Sequence, residues 1–109
     1  MNIFSYMKAW FDWANKNPDR VNPNMHALYF TIINHANRLG WKDKFGIPSE
    51  LIMEIMAIKN YKTYKKTLTE LIEAKFIVMV ESSRNQYTAS VIALVKNTEA
   101  FTEADIKAF

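Results

Sequence analysis

Residues 59–69 read KNYKTYKKTLT, with lysine at four of the eleven positions. Lys62, Lys66 and Thr69 follow i, i+4, i+7 spacing, and Thr63 and Lys65 lie beside them. On a helix this spacing gathers ammonium and hydroxyl donors on one face, opposite Tyr64, Leu68 and Leu71. Such donors suit the phosphates and base edges of nucleic acid. The acids Glu70 and Glu73 come later. Bases early and acids late oppose the helix macrodipole, by about 0.3–1 kcal/mol for each charge. Glu70 offsets part of this if it pairs with Lys66 at i, i+4. A phosphate backbone near the helix N-terminus favours the observed order. No arginine stands in this stretch, so the commonest bidentate reader of guanine is missing. The expected binding is salt-sensitive and weakly sequence-selective.

A second polar set, Ser82, Ser83, Arg84, Asn85 and Gln86, adds one cation and several donors that suit phosphate. Lys59 and Lys75 flank the first set. Other chemistry finds little support. No cysteine is present, which removes disulfides and thiolate metal sites. His26 and His35 stand nine residues apart without clustered carboxylates, so no metal is expected. Ser82 and Ser83 lack an evident base, and the carboxylates are scattered on polar faces. Two glycines, Gly40 and Gly46, do not make a phosphate loop. The chain is expected to be a non-enzyme without a cofactor.

The charge distribution agrees. Residues 59–96 hold seven Lys/Arg against three Asp/Glu, a balance of +4. Residues 1–58 hold six against five, and residues 97–109 hold one against three. The basic excess therefore coincides with the two polar sets, as a nucleic-acid footprint does. The chain has 109 residues, 50% of them hydrophobic, enough for one folded domain with a modest core. No membrane span or signal peptide is evident, so a soluble, cytoplasmic protein is expected.

The elements that must position these residues follow from periodicity. Residues 3–15 predict a helix with Phe4, Met7, Phe11 and Ala14 as its core stripe. A second stripe, Ile3, Tyr6, Trp10 and Trp13, makes the apolar face unusually wide. Tyr6, Trp10 and Trp13 are therefore candidate interface residues for another chain. Asn22 and Pro23 predict the start of a second helix, with Met25, Leu28, Tyr29, Ile32, Ala36 and Leu39 inward and Gly40 as its stop. A short extended piece is expected at 45–47. A short helix capped by Ser49 follows, with Leu51, Ile52, Ile55 and Met56 inward. Residues 58–60 make a tight turn, and Asn60 caps the basic helix, which runs to about Lys75. Beyond it the period changes from 3.6 to 2 over 76–81 and again over 87–95, which predicts a hairpin with a loop of four or five residues. Residues 97–109 are acidic and weakly amphipathic, with Thr102 as a candidate cap.

The predicted class is mainly α with a small β-sheet. A helix pair, a tight turn and a following hairpin make the layout of a winged helix-turn-helix, here with an extra aromatic-rich N-terminal helix. The domain is expected at 1–96, with 97–109 as an extension or linker. The stretch AIKNYKTYKKTLTELIEAKFIVMVESSRNQYTASVIALVK resembles the winged-helix N-terminal region of phage replisome-organiser and DnaD-like replication-initiation proteins of mobile elements. The motifs are Thr63-Tyr64, the Leu68–Leu71–Ile72 spacing, Phe76-Ile77 and Asn85-Gln86-Tyr87-Thr88. MKAWFDW at 7–13 and Gly40-Trp41 also fit. The resemblance implies double-stranded DNA binding in replication initiation or transcription regulation, with a homodimer and replication proteins as candidate partners. Lys59, Lys62, Thr63, Lys65, Lys66, Thr69, Arg84 and Asn85 are the expected DNA contacts. Family members commonly have glycine where Ala57 and Lys75 stand, so a tight left-handed turn there is expected to be made by another residue or avoided. The apolar ending at Ile106 and Phe109 fits an N-terminal portion of a longer protein, with a complete small protein as the alternative. The alternative function is a protein-interaction or dimerisation module that does not touch DNA and uses the aromatic helix.

Overall fold

The computed structural model describes residues 3–85 and 87–95. The expected extension at 97–109, with its Thr102 cap, lies outside the described residues. Four helices and three strands follow one another as α1 (Ile3–Lys16), α2 (Pro23–Arg38), β1 (Phe45–Ile47), α3 (Ser49–Met56), α4 (Tyr61–Glu73), β2 (Ile77–Glu81) and β3 (Ser90–Leu94). The fold is thus mixed, with a three-stranded antiparallel sheet in the order β1-β3-β2. No helix among the described residues is long and apolar enough to cross a membrane.

Alternation makes the sheet two-faced. Phe45, Ile47, Ile77 and Ile92 turn into the core, where α2 and α4 supply Met25, Leu28, Tyr29, Ile32, Tyr64, Leu68 and Leu71. The hairpin is looser than its sequence implies. Strand pairing ends at Glu81 and resumes at Ser90, so the connection is 82–89 rather than four or five residues. Asn85 accounts for this, because its side-chain oxygen accepts from Tyr87 N and Thr88 N at 2.8 and 3.1 Å. That Asx-type turn takes the backbone out of the ladder. A bulge between Met79 and Glu81 adds a further irregularity in β2.

Helix α1 departs from the predicted assignment of its stripes at Phe4 and Phe11, while Ala14 is buried as expected and Met7 packs partly buried against the core. Tyr6, Ala9, Trp10 and Ala14 are buried, whereas Phe4 is 71% and Phe11 43% exposed. Trp10 sits at the centre of an aromatic cluster. Its ring stacks on Tyr29 at 4.8 Å and meets Phe76 edge-on at 5.0 Å. Its Nε1 donates to His26 Nδ1 at 2.8 Å. A large ring with a polar handle gains more from this site than a Phe at position 4 or 11 would. Tyr6 stacks on Trp41 at 5.1 Å, and half-buried Trp13 meets Phe76 at 5.4 Å. Tyr6 and Trp10 therefore belong to the core and present no interface, contrary to expectation. In α3 only Ile52 of the expected inner face is fully buried. Leu51 and Ile55 are 43% and 57% exposed, because eight residues give the helix one narrow contact stripe. Ser49 is the first helical residue rather than the cap; Pro48 holds the cap position and makes no side-chain cap bond.

Three helices end alike. The amide of Trp41 donates to Ala36 O, that of Ile58 to Met53 O and that of Phe76 to Leu71 O, at 2.9–3.1 Å. Each is the six-residue closure of a Schellman turn, which requires a left-handed residue just before it. Gly40 serves α2 with φ 77°. Ala57 and Lys75 serve α3 and α4 with φ 60° and 66°. The left-handed turns are thus made at the two positions where glycine is missing, by Ala57 and Lys75 themselves, and are not avoided.

Candidate nucleic-acid interface

Helix α4 carries the candidate site. Asn60 stands at its N-cap, as its sequence predicts, and its side-chain oxygen accepts from Lys62 N at 2.8 Å and Thr63 N at 3.4 Å. The first turn has no acid. Tyr64, Thr67, Leu68 and Leu71 are buried, which fixes the rotation of the helix against the core. Thr67 reconciles its hydroxyl with burial by donating to Thr63 O at 2.8 Å. The opposite face then turns Lys62, Lys65, Lys66 and Thr69 outward, with Thr63 half-buried at their edge. Lys59 and Lys75 are exposed at the two ends of the helix.

The side chains are not equivalent. Lys65 Nζ lies 5.8 Å from the centre of the Tyr61 ring, at the outer range of a cation–π contact. Thr69 donates its hydroxyl to Lys65 O at 3.0 Å, an internal bond that it must exchange to contact anything else. The expected Lys66–Glu70 pair does not form among the described residues. Glu70 Oε2 instead accepts from Asn22 Nδ2 at 3.1 Å. Asn22 caps α2 with its oxygen, accepting from Met25 N at 3.0 Å, and reaches α4 with its nitrogen. One asparagine thus links the N-terminus of α2 to the Glu70 carboxylate of α4.

The same junction adds residues that the sequence did not single out. Pro23 and Asn24, at the start of α2, line a cleft with Thr63, Lys66, Thr67 and Glu70. Asn24 is exposed. It stands about forty positions from α4 in the chain, so no spacing argument could join them. In the connection after β2, Arg84 is exposed as expected. The oxygen of Asn85 is committed to holding its own turn. Tyr87, expected at the start of the second strand, is instead 75% exposed in the connection and adds an aromatic ring there.

The two histidines have structural partners. His26 accepts from Trp10, and His35 Nε2 lies 3.1 Å from Gly46 O, linking α2 to β1. The perturbed titratable groups are core tyrosines. Burial pushes Tyr6 and Tyr64 up to about 12, the neighbouring Tyr61 adding to the rise at Tyr64. Burial and then the nearby Tyr6 hold Tyr29 well above the usual phenol range. These shifts mark packing rather than chemistry. In comparison with known proteins, the chain matches no family model, no curated protein and no solved structure.

Proposed function

We propose that the chain is a double-stranded DNA-binding module rather than an enzyme. In this reading it is a winged helix-turn-helix in which α3 and α4 form the helix pair, α4 is the recognition helix and the 82–89 hairpin connection is the wing. The observation that carries the reading is the exposed cationic face of α4: Lys62, Lys65 and Lys66 face outward, and Glu70 accepts from Asn22 rather than pairing with Lys66. Lys62, Thr63, Lys65 and Lys66 enter the major groove. Lys59 and Arg84 contact phosphates, and Thr69 and Asn85 contribute less because of their internal bonds. Lysine and threonine contacts favour affinity over sequence discrimination, so selectivity needs DNA shape, a second protomer or a partner domain. The resemblance of residues 57–96 to replication-initiation winged helices supports a role in replication initiation or transcription regulation of a mobile element. Fluorescence anisotropy of the protein with mixed-sequence duplexes at low salt tests the reading. Binding that weakens steeply with added salt is expected, and no binding at low salt refutes it.

A second reading, protein interaction through α1, is favoured by one observation. Phe4 and Phe11 are exposed on the outer flank of α1, and half-buried Phe30 of α2 lies 5.6 Å from Phe11. The surface for this reading is that flank, since Tyr6 and Trp10 are inside. Sedimentation of the protein against Phe4→Ser/Phe11→Ser tests it: self-association lost in the double variant supports the reading, and a strict monomer in both removes homodimerisation.

A further inference from the structure

The connection between β2 and β3 presents an aromatic ring that the reading of α4 does not use. Of the five tyrosines, Tyr6, Tyr29 and Tyr64 are buried and Tyr61 is half-buried, whereas Tyr87 is 75% exposed. Its ring makes no aromatic or cation–π contact among the described residues. The backbone that carries it is nonetheless fixed. Asn85 Oδ1 accepts from Tyr87 N at 2.8 Å, from Thr88 N at 3.1 Å and from Thr88 Oγ1 at 3.3 Å. At the base of the connection Ser83 N donates to Ser90 Oγ at 3.1 Å. A turn closed in this way places the ring before any partner arrives, which lowers the ordering cost of a contact. Tyrosine adds contact area with few side-chain torsions left to settle.

The surroundings select the partner. Residues 82–95 contain no acid, and Glu81, exposed at the end of β2, is the nearest one in the chain. Arg84 is exposed on the same turn as Tyr87. The residues about the ring are Ser82, Arg84, Asn85 and Thr88, all polar and exposed. Protein partners are anchored by aromatic residues in well-packed, water-excluding surroundings, which this turn does not offer. One ring beside a guanidinium and hydroxyls suits a nucleotide instead, the base on the ring and the phosphate on the cation. Within a duplex the faces of the bases are covered by their neighbours, so a ring can stack only on a base outside the paired stack. We propose that Tyr87 is a stacking platform for an unpaired base, with Arg84 on the adjoining phosphate, and that the chain therefore favours junctions between duplex and single strand. The proposal rests on the reading of the 82–89 connection as a DNA-contacting wing, with α4 on the duplex side of the junction.

Fluorescence anisotropy at low salt tests this with a blunt duplex, the same duplex carrying a short single-stranded overhang, and the free single strand. The native chain is compared with Tyr87→Ala and Tyr87→Phe. The native chain and Tyr87→Phe are expected to bind the overhang duplex about 5–100-fold more tightly than the blunt one. Tyr87→Ala is expected to bind both alike, at the native affinity for the blunt duplex. Equal native affinity for the two duplexes overturns the proposal and leaves the reading of α4 standing. An overhang preference that survives in Tyr87→Ala overturns it, as does an equal weakening on both duplexes, which would put the ring against paired DNA. Single-strand binding that needs the ring, without binding of either duplex, removes the reading of α4 and keeps the proposal. Absence of binding to all three overturns both. Because Tyr87 is exposed, both variants are expected to keep the native thermal midpoint, so that loss of the preference reads the ring rather than the fold.

Discussion

Ala57 and Lys75 hold left-handed backbone that costs a residue with a Cβ about 1–2 kcal/mol. Glycine at either site relieves that strain but enlarges the unfolded ensemble. Ala57→Gly and Lys75→Gly are therefore expected each to stabilise the fold by about 0.5–1 kcal/mol, read as a higher urea midpoint with unchanged slope. A lower midpoint would mean that these turns are not left-handed. The buried phenols make a second residue-scale prediction. Their folded-state values are raised above the unfolded value near 10, to about 12 for Tyr6 and Tyr64. Stability from these groups is complete below pH about 10 and is lost as the pH rises toward 12. Absorbance of phenolate and near-ultraviolet circular dichroism are expected to change together in this window, because Tyr6, Tyr29 and Tyr64 ionise only as the core opens. Phenolate appearing at all five tyrosines with the core signal intact would contradict it. Of these features, the caps at Asn22 and Asn60 were legible in the sequence, since Asx before a helix has a local cause. The left-handed Ala and Lys were not, because composition at those sites argues for the opposite.

At the scale of elements, period and chemistry were legible and rotation was not. All seven elements appear where spacing predicts them, within a few residues. Yet the residues of α1 that enter the core are Tyr6, Ala9, Trp10 and Ala14, whereas Phe4 and Phe11 stay exposed. Two adjacent apolar stripes cannot be ranked by hydrophobicity alone. The deciding contact is the Trp10–His26 bond, which joins residues sixteen apart. Trp10→Ala is accordingly expected to destabilise the protein by about 3–5 kcal/mol, as for a core aromatic, whereas Phe11→Ala is expected to change stability little. Equal and small effects in thermal unfolding would return Trp10 to the surface. The cap of α4 has a separate cost. Asn60→Ala leaves the amides of Lys62 and Thr63 without their acceptor and is expected to destabilise by about 1 kcal/mol, with duplex affinity measured on the folded variant falling less than for loss of the lysines. The long hairpin connection escaped the sequence reading because Asn85 bonds forward to its own backbone and so removes residues that alternate like a strand.

Across the whole molecule, the described cations of the basic segment are all exposed. Lys62, Lys65 and Lys66 lie on α4, Lys59 and Lys75 at its two ends, and Arg84 in the 82–89 connection. Burial of Tyr64, Leu68 and Leu71 makes the orientation of α4 a consequence of the core rather than of the lysines themselves. The candidate site was therefore legible wherever it lay on one helix. It was illegible at the α2–α4 junction, where Asn22 takes up Glu70 and Asn24 joins the cleft from a distant stretch of chain. The central claim is that α4 binds phosphate through separate cations, and counterion release measures this. The most direct measurement is the slope of log affinity against log salt for a mixed duplex, compared between the native chain and Lys62→Ala/Lys66→Ala. Loss of two phosphate contacts is expected to flatten the slope by about 1.8 and to weaken binding at least several-fold at low salt. An unchanged slope and affinity in the folded double variant would contradict the assignment of α4 as the DNA-binding helix.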